Sequence, residues 1–289
     1  MHRSAPRLGL AYSKQTPAFL DAHPDLVDYV EVPFELLQRV PAVADVGARR
    51  PIVLHCASLS VAGTVRPPAD VLDDVAGWVE RVDSPWLGEH LSFITATRLP
   101  GDDHSDAYAP GEPWNIGYTV SPQLTEETLD RVVEAVARIS ARLAVPLILE
   151  NPPIYFTMPG STMSQLEFVR ELCRRCDVGL LLDLAHFLIT AQTLGRDPFG
   201  DLDGFPLDRV LEVHISGVDE QEGGHWDNHA ARAPQVELDL LAVVLERTAV
   251  RAVTLEYNWS SSFATQVLLS EFDRVGQVVR ESKHLAGLG

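Results

Sequence analysis

Short runs of apolar residues recur along the chain, separated by longer amphipathic stretches. Each run is rich in Val, Leu or Ile and has the length of one β-strand. The eight runs are LGLAYS from Leu8, VDYVEVPF from Val27, PIVLHCA from Pro51, WLGEHLSF from Trp86, PLILENP from Pro146, VGLLLDLAH from Val178, VLEVHISG from Val210 and AVTLEYN from Ala252. Parallel strands buried on both faces have this composition. The alternation predicts an α/β protein, a single (β/α)8 TIM barrel that occupies residues 1–289 as one domain.

Two connecting segments carry signals for the start of a helix. TEETLDRVVEAVARISARL begins on Thr125 with acidic residues in its first turn, and SQLEFVRELCRRC begins on Ser164 with Glu167 three residues on. A third connection, from Thr95 to Gln123, is rich in Pro, Gly and Asp and carries Tyr108, Trp114 and Tyr118. We expect this loop between the fourth strand and the fourth helix, about residues 95–123, to act as a lid over a substrate.

The charge of the chain limits its partners. Asp and Glu outnumber Lys and Arg by 41 to 23, which gives a formal net charge of -18. A surface this acidic repels the phosphate backbone, so no nucleic-acid partner is expected, and a basic leader peptide or basic partner is favoured. No apolar segment approaches the roughly 20 residues that span a membrane, and no signal peptide is evident. With three cysteines and no disulfide framework, a cytoplasmic location without membrane association is expected.

Nearly every predicted strand ends on a carboxylate or an imidazole. In a (β/α)8 barrel the carboxyl ends of all strands open on one face, so these side chains should converge although they are scattered through the sequence. The strand-end residues are Glu31, His55, Glu89, His90, Glu150, Asp183, His186, His214 and Glu256, and the segment DNHAA after the seventh strand adds Asp227 and His229.

Convergence makes these residues candidate metal ligands. One histidine in an apolar strand is most often a satisfied core group, but several carboxylates at one mouth repel one another unless cations neutralise them. The candidate ligands are His55, His90, Glu150, Asp183, His186, His214, Asp227, His229 and Glu256. Nine ligands suit two or three metal ions with a shared carboxylate as bridge. An imidazole and carboxylate set without thiolate accepts zinc, iron or manganese.

Two further residues are assigned to catalysis itself. Asn151 follows Glu150 directly and can donate a hydrogen bond to a substrate or to a bridging oxygen. Glu31, at the end of the second strand, is the other candidate. An alternative role for Glu31, shared with Glu89, is to accept a hydrogen bond from a ligand and so orient it.

Eight segments together resemble one known family, the multinuclear non-heme iron-dependent oxidative enzymes. They are PIVLHCASLS, GEHLSF, SPQLTEETLD, LILENPPIYF, GLLLDLAHFLITAQTLG, LEVHISG with DNHAA, and TLEYN, spread from about Leu8 to Phe263. The resemblance implies a (β/α)8 barrel with two or three iron ions that uses dioxygen to modify a residue, often cysteine, of a ribosomally made precursor peptide. It also implies a partner protein that binds the leader and presents the peptide.

The same resemblance implies three ligand sets. They are His55, His90 and Glu150; Asp183, His214 and Glu256, with Glu150 bridging; and His186, Asp227 and His229. Many family members carry asparagine where this chain has His186, so the third set is fuller here. The ligand layout is also similar to the wider xylose-isomerase-like barrels.

Other functions remain open at this stage. One is a divalent-metal phosphodiesterase that uses zinc, although the net charge of -18 disfavours a groove for DNA. Another is a sugar isomerase or epimerase, although no lysine base stands among the strand ends. A metal-storing protein would show a saturated, closed coordination shell.

Overall fold

The computed structural model describes residues 5–97, 113–221, 223–258 and 264–286, the last four of them by their backbone alone. Within these residues the strands are β1 (Arg7–Ala11), β2 (Tyr29–Pro33), β3 (Ile52–Cys56), β4 (Leu87–His90), β5 (Phe93–Thr97), β6 (Pro113–Val120), β7 (Leu147–Glu150), β8 (Gly179–Asp183), β9 (Val210–Ile215), β10 (Val218–Gln221), β11 (Gly224–Asp227) and β12 (Ala252–Leu255). The α-helices are α1 (Thr16–Ala22), α2 (Phe34–Arg39), α3 (Ala69–Arg81), α4 (Glu126–Ser140), α5 (Gln165–Arg175), α6 (Leu184–Thr193), α7 (Pro198–Gly204), α8 (Gln235–Arg247) and α9 (Thr265–Ala286). Two 3-10 helices span Pro41–Ala48 and Leu207–Arg209.

Parallel strands close into a barrel in the order β1-β12-β9-β8-β7-β4-β3-β2, returning to β1. Its members are the eight apolar runs, each followed by helical structure, so the predicted (β/α)8 barrel is confirmed. The helix starts are also confirmed. Thr125 accepts a hydrogen bond from the backbone N–H of Thr128, and Ser164 forms a capping box with Glu167.

The barrel interior has an apolar floor. Its buried side chains are Tyr29, Val53, Trp86, Ile148, Leu181 and Ala252, a cluster separate from the larger core between strands and helices. Side chains along a strand alternate between the two faces. The residue two positions after each floor residue therefore also points into the barrel, one layer nearer the carboxyl ends. Glu31, His55, Glu150 and Asp183 occupy that layer.

The connection after the fourth barrel strand differs from the prediction. Its described ends form an antiparallel hairpin of β5 and β6, with Thr97 opposite Pro113. The prediction of an irregular loop that starts at Thr95 is therefore wrong for these residues. The aromatic and β-branched residues of PWNIGYTV favour a strand despite the Pro and Gly that flank and interrupt it. Tyr108 lies outside the described residues, and the lid role stays a prediction. A second hairpin, β10 with β11, follows β9.

Among the described helices, none combines the length and the apolar character needed to cross a membrane.

Packing of the floor generates a stability prediction. Gly9 pairs with Tyr29 across β1 and β2, and a Cβ added at Gly9 would overlap the Tyr29 ring. We expect Gly9→Ala to lower the free energy of unfolding by about 1–3 kcal/mol, because a ring that fills the floor must move. Chemical denaturation measures the change.

Gly77→Ala is the matched control. Gly77 lies within α3, and a Cβ there would meet nothing within 4 Å. Helix propensity should raise stability by roughly 0.5–1 kcal/mol. If Gly9→Ala were as stable as Gly77→Ala, the described floor packing would be incorrect.

Candidate metal centre

The predicted strand-end residues meet at the carboxyl-terminal mouth of the barrel. Glu150, Asp183 and His214 are at most 2% exposed there, and His55 is 7% exposed. Side-chain atoms that can bind a metal lie within 4.8 Å of one another in three overlapping groups. The groups are His55, His90 and Glu150; Glu150, Asp183 and His214; and Glu31, His214 and Glu256. Glu150 is shared by the first two groups, and His214 by the last two.

The first group is the one implied by the resemblance. Oε2 of Glu150 lies 3.0 Å from Nε2 of His55 and 3.3 Å from Nε2 of His90. Nδ1 of His90 lies 3.1 Å from the backbone oxygen of Cys56, which can accept its proton. That contact fixes the ring so that Nε2 faces the carboxylate, the usual support for a metal-binding histidine.

The other two groups share His214. Its Nδ1 lies 3.9 Å from Oε1 of Glu150, 3.9 Å from Oδ2 of Asp183 and 3.4 Å from Oε2 of Glu256. Within the described residues, Nδ1 of His214 and Oδ2 of Asp183 are buried without a hydrogen bond. A buried polar atom left in this state costs roughly 1–3 kcal/mol, and a bound cation removes that cost for both.

Asp183 has a second task at the start of α6. Its Oδ1 accepts a hydrogen bond from the backbone N–H of His186 at 2.6 Å, which caps the helix. One carboxylate oxygen therefore stabilises the helix while the other faces the mouth. This division explains an aspartate at the end of an apolar strand with a histidine three residues later.

The third implied set also comes together. Nε2 of His186 lies 2.8 Å from Oδ2 of Asp227, and Nε2 of His229 lies 3.0 Å from Oδ1 of Asp227. Nδ1 of His186 lies 2.9 Å from the backbone oxygen of Asn151, so the ring is held like that of His90. The carboxylate of Asp227 therefore joins the two histidines. Their role as ligands stays a prediction.

Glu31 and Asn151 support ligands. Oε2 of Glu31 lies 3.0 Å from Nε2 of His214, so this carboxylate holds the Nδ1 of His214 toward the mouth. The Asn151 amide donates to the backbone oxygen of Asp183 and accepts from its N–H, both at 3.0 Å. Asn151 thus ties the end of β7 to the end of β8. Direct parts in catalysis stay predictions, and Glu89 instead accepts from the backbone of Leu59, at 3.4 Å.

The electrostatics of the mouth favour bound cations. Burial would lower the pKa of His55, but the charges of Glu31 and Glu150 raise it to about 9. Burial would raise the pKa of Glu256, but His214 and His229 lower it to about 2. The carboxylates therefore hold positive charge on neighbouring imidazoles, which metal ions would replace.

A polar network below the centre escaped the sequence analysis. Glu212 is fully buried and accepts hydrogen bonds from Trp86 at 2.7 Å, Tyr29 at 3.0 Å and Thr254 at 2.6 Å. It lies two residues before His214 on β9, so strand alternation places it on the same inward face. The alternation of side chains along the strand could have indicated an inward-facing Glu212, although this residue lies in the middle of β9 and not at its end.

The metal centre opens into a cleft of about 570 Å³. Its lining includes the metal-centre residues His90, Glu150, His186, Asp227, His229 and Glu256. Aromatic residues form much of the wall. Tyr155 stacks on Trp226 with ring centroids 5.1 Å apart, and Tyr118 and Phe156 line the cleft with more than half of their surface exposed.

Fold and site together define a (β/α)8 barrel whose mouth carries overlapping sets of imidazole and carboxylate side chains that could hold metal ions. The chain belongs to the family described as RiPP precursor modification enzyme MbnB/TglH/ChrH, whose model matches residues 7–280. RiPPs are ribosomally synthesised and post-translationally modified peptides. The resemblance stated from the sequence is thereby confirmed at the level of the family.

Individual relatives agree with this placement. A UPF0276 protein of Streptomyces avermitilis is 32% identical over 205 residues, which cover 71% of this chain but only 40% of that protein. A UPF0276 protein of Caulobacter vibrioides is 31% identical over 222 residues, covering 75% of this chain and 74% of the relative. Among solved structures, the IOLI protein with a binding zinc atom aligns with a TM-score of 0.59 at 13% identity. The alignment covers 96% of this chain and 98% of that chain, and the shared fold is the TIM barrel.

One glycine generates a prediction about the centre. Gly88 pairs with His55 across β3 and β4, and a Cβ at Gly88 would overlap Nδ1 of His55. We expect Gly88→Ala to displace the imidazole and to remove about one bound metal ion per chain, because ligand distances tolerate only about 0.2 Å of error. Elemental analysis after loading with Fe²⁺ or Zn²⁺ measures this loss. Unchanged metal content would show that His55 is not a ligand.

Proposed function

We propose that this chain is an iron-dependent oxidase that uses dioxygen to modify a residue, cysteine in the first instance, of a ribosomally synthesised precursor peptide. The observation that carries the proposal is the sharing of Glu150 between two ligand groups at the base of an aromatic cleft. Membership in a family of RiPP precursor modification enzymes supports a peptide as the substrate.

The donor set fits iron. We propose that His55, His90 and Glu150 hold one ion, and that Asp183, His214 and Glu256 hold a second, with Glu150 bridging. His186, Asp227 and His229 would hold a third. Imidazole nitrogen and carboxylate oxygen are ligands of non-heme iron, and a bound cation would give a partner to Nδ1 of His214 and Oδ2 of Asp183, which form no hydrogen bond within the described residues. Iron bound there would supply redox chemistry with dioxygen and a binding position for a thiolate.

The protein's own residues would orient the ligands and exclude water. Glu31 holds His214, and Asn151 holds Asp183 through its backbone. Directly below, the apolar floor with Tyr29 and Trp86 closes the barrel to solvent from its amino-terminal end. Water and substrate would therefore enter through the cleft alone, where Tyr118 and Phe156 would pack against the peptide.

The setting of the reaction is part of the proposal. We place it in the cytoplasm, where the free thiols of Cys56, Cys173 and Cys176 stay reduced. A partner protein would bind the leader of the precursor peptide and present the reacting residue to the cleft.

A zinc-dependent hydrolase or epimerase is the second candidate. The fold neighbour with a zinc atom supports it, because the same nitrogen and oxygen donors accept Zn²⁺. Against a phosphodiester substrate, the described lining of the cleft contains no Lys or Arg to bind phosphate. Metal identity therefore separates the two candidates.

The test is elemental analysis of protein purified without added metal, together with a dioxygen-consumption assay. We expect two or three iron ions per chain, and a loss of at least one ion in both His55→Ala and Asp183→Ala. His23→Ala is the matched control, since His23 follows α1 and belongs to no ligand group in the described structure. Zinc at the same stoichiometry would favour hydrolysis, and no metal in any preparation would refute both candidates.

The cleft wall generates a separate kinetic prediction. Tyr118 lies on β6 and is 69% exposed beside the cleft. We expect Tyr118→Ala to raise KM for the precursor peptide about three- to tenfold, because an aromatic contact contributes roughly 0.5–1.5 kcal/mol beyond its area. Metal content should stay constant. Phe199→Ala removes an exposed aromatic ring outside the described cleft lining and should leave KM unchanged; equal KM values for both variants would exclude Tyr118 from peptide binding.

A further inference from the structure

A second groove lies on the outer side of the barrel, between the connection from β3 to α3 and the exposed face of α4. Its volume is about 470 Å³, and it shares no lining residue with the cleft at the metal centre. One wall is formed by Leu59, Ser60, Val61, Gly63, Thr64, Val65, Arg66 and Pro67, and the other by Arg131, Glu134, Ala135, Ala137 and Arg138. The lining therefore combines apolar residues with three arginines and one glutamate.

Positive charge is concentrated in this groove although the chain carries a net charge of -18. Arg66 pairs with Glu134 at 2.9 Å, and Arg131 pairs with Glu127 at 2.8 Å. Arg138 is half-buried and has no ion-pair partner in the part of the chain that the structure describes. Burial and the nearby charge of Arg66 lower the pKa of Arg138, so an anion beside it would be favourable.

Arg131 differs from Arg138, because its terminal nitrogens donate to Glu127 and to the hydroxyl of Thr128, both at 2.8 Å. Among the described arginines of the groove, Arg138 is therefore the one whose charge is left for a ligand. Carboxylates are natural acceptors for guanidinium groups, which bind them with two parallel hydrogen bonds.

The groove is joined to the wall of the metal-centre cleft through Ser60. This residue has a φ of 51°, a strained conformation for a residue other than glycine. Its Oγ accepts hydrogen bonds from the backbone N–H groups of Ile94 at 3.1 Å and Thr95 at 3.2 Å. Those residues belong to β5, whose partner strand β6 lines the cleft. A ligand in the groove would therefore contact the loop that supports the cleft wall.

We propose that this groove binds an acidic segment of the precursor peptide, at a distance from the residue that reacts; the identity of the occupant rests on the proposed function. Arg138 and Arg66 bind its carboxylates, and the half-buried Val65, Pro67 and Ala135 pack against its apolar side chains. Elsewhere the acidic surface repels such a segment, so the groove sets where it lies. The segment proposed for this groove is acidic, whereas the net charge of the chain alone predicts a basic leader.

The test uses a short fluorescein-labelled peptide of Glu, Ala and Leu as the probe and the metal-containing protein, with fluorescence anisotropy as the readout. We expect Arg138→Glu to weaken binding at least about tenfold, through loss of one charge-assisted contact and addition of a repulsive one. Glu134→Gln should tighten binding, because it removes a carboxylate that competes for Arg66. Arg170→Glu makes the same charge change on an exposed residue of α5 outside the groove and should bind like the parent protein.

Three outcomes would overturn the inference. They are equal affinities of Arg138→Glu and Arg170→Glu, equal binding of a probe with Lys in place of Glu, and complete displacement of the probe by inorganic phosphate at the same concentration. Iron content and dioxygen consumption of the same samples report on the proposed function separately. If Arg138→Glu weakened probe binding in a protein that contains no iron, the groove would still be a site for acidic peptides. The proposed oxidase function would then be refuted.

Discussion

Repulsion among buried carboxylates is the constraint on which the rest of this structure depends. Glu31, Glu150, Asp183 and Glu256 lie around one barrel mouth, where low polarity strengthens every charge interaction. Imidazoles are interleaved with them, and the carboxylates raise the pKa of His55 to about 9, whereas burial lowers the pKa of His90. Such a cluster is costly as a purely structural device, because buried charge without full compensation destabilises a fold. Its arrangement is explained if metal ions carry the compensating charge.

Placement of the cluster follows from strand geometry and from supports behind each ligand. A shift of one residue in the register of any barrel strand would point its candidate ligand away from the barrel interior, toward the core between strands and helices. The packing of the apolar floor therefore also fixes the positions of the candidate ligands. Behind the ligands, Glu31 orients His214, the Cys56 carbonyl orients His90 and the Asn151 carbonyl orients His186. These contacts leave one nitrogen of each ring directed at a carboxylate, which is the condition for a preorganised site.

Patterns local to a strand were readable from the sequence, and pairings between distant segments were not. Apolar runs with polar ends predicted eight strands and placed His55, Glu150 and Asp183 at one mouth, because parallel strands in a barrel share one direction. The β5–β6 hairpin depends on pairing across residues 98–112, for which composition offers no guide. Glu212 lies in the middle of β9, so the pattern of polar residues at strand ends did not indicate it. Arg66 and Arg138 lie far apart in the sequence, so their common groove emerged only from the fold.

One scaffold carries a candidate metal centre, a cleft above it and a separate groove, and we propose that iron occupies the centre. Anomalous diffraction from crystals of protein purified without added metal, recorded above and below the iron absorption edge, tests this claim most directly. The account predicts at least two peaks beside Glu150 and His214 that appear only above the iron edge. Peaks that follow the zinc edge instead, or no peak at the mouth, would contradict it.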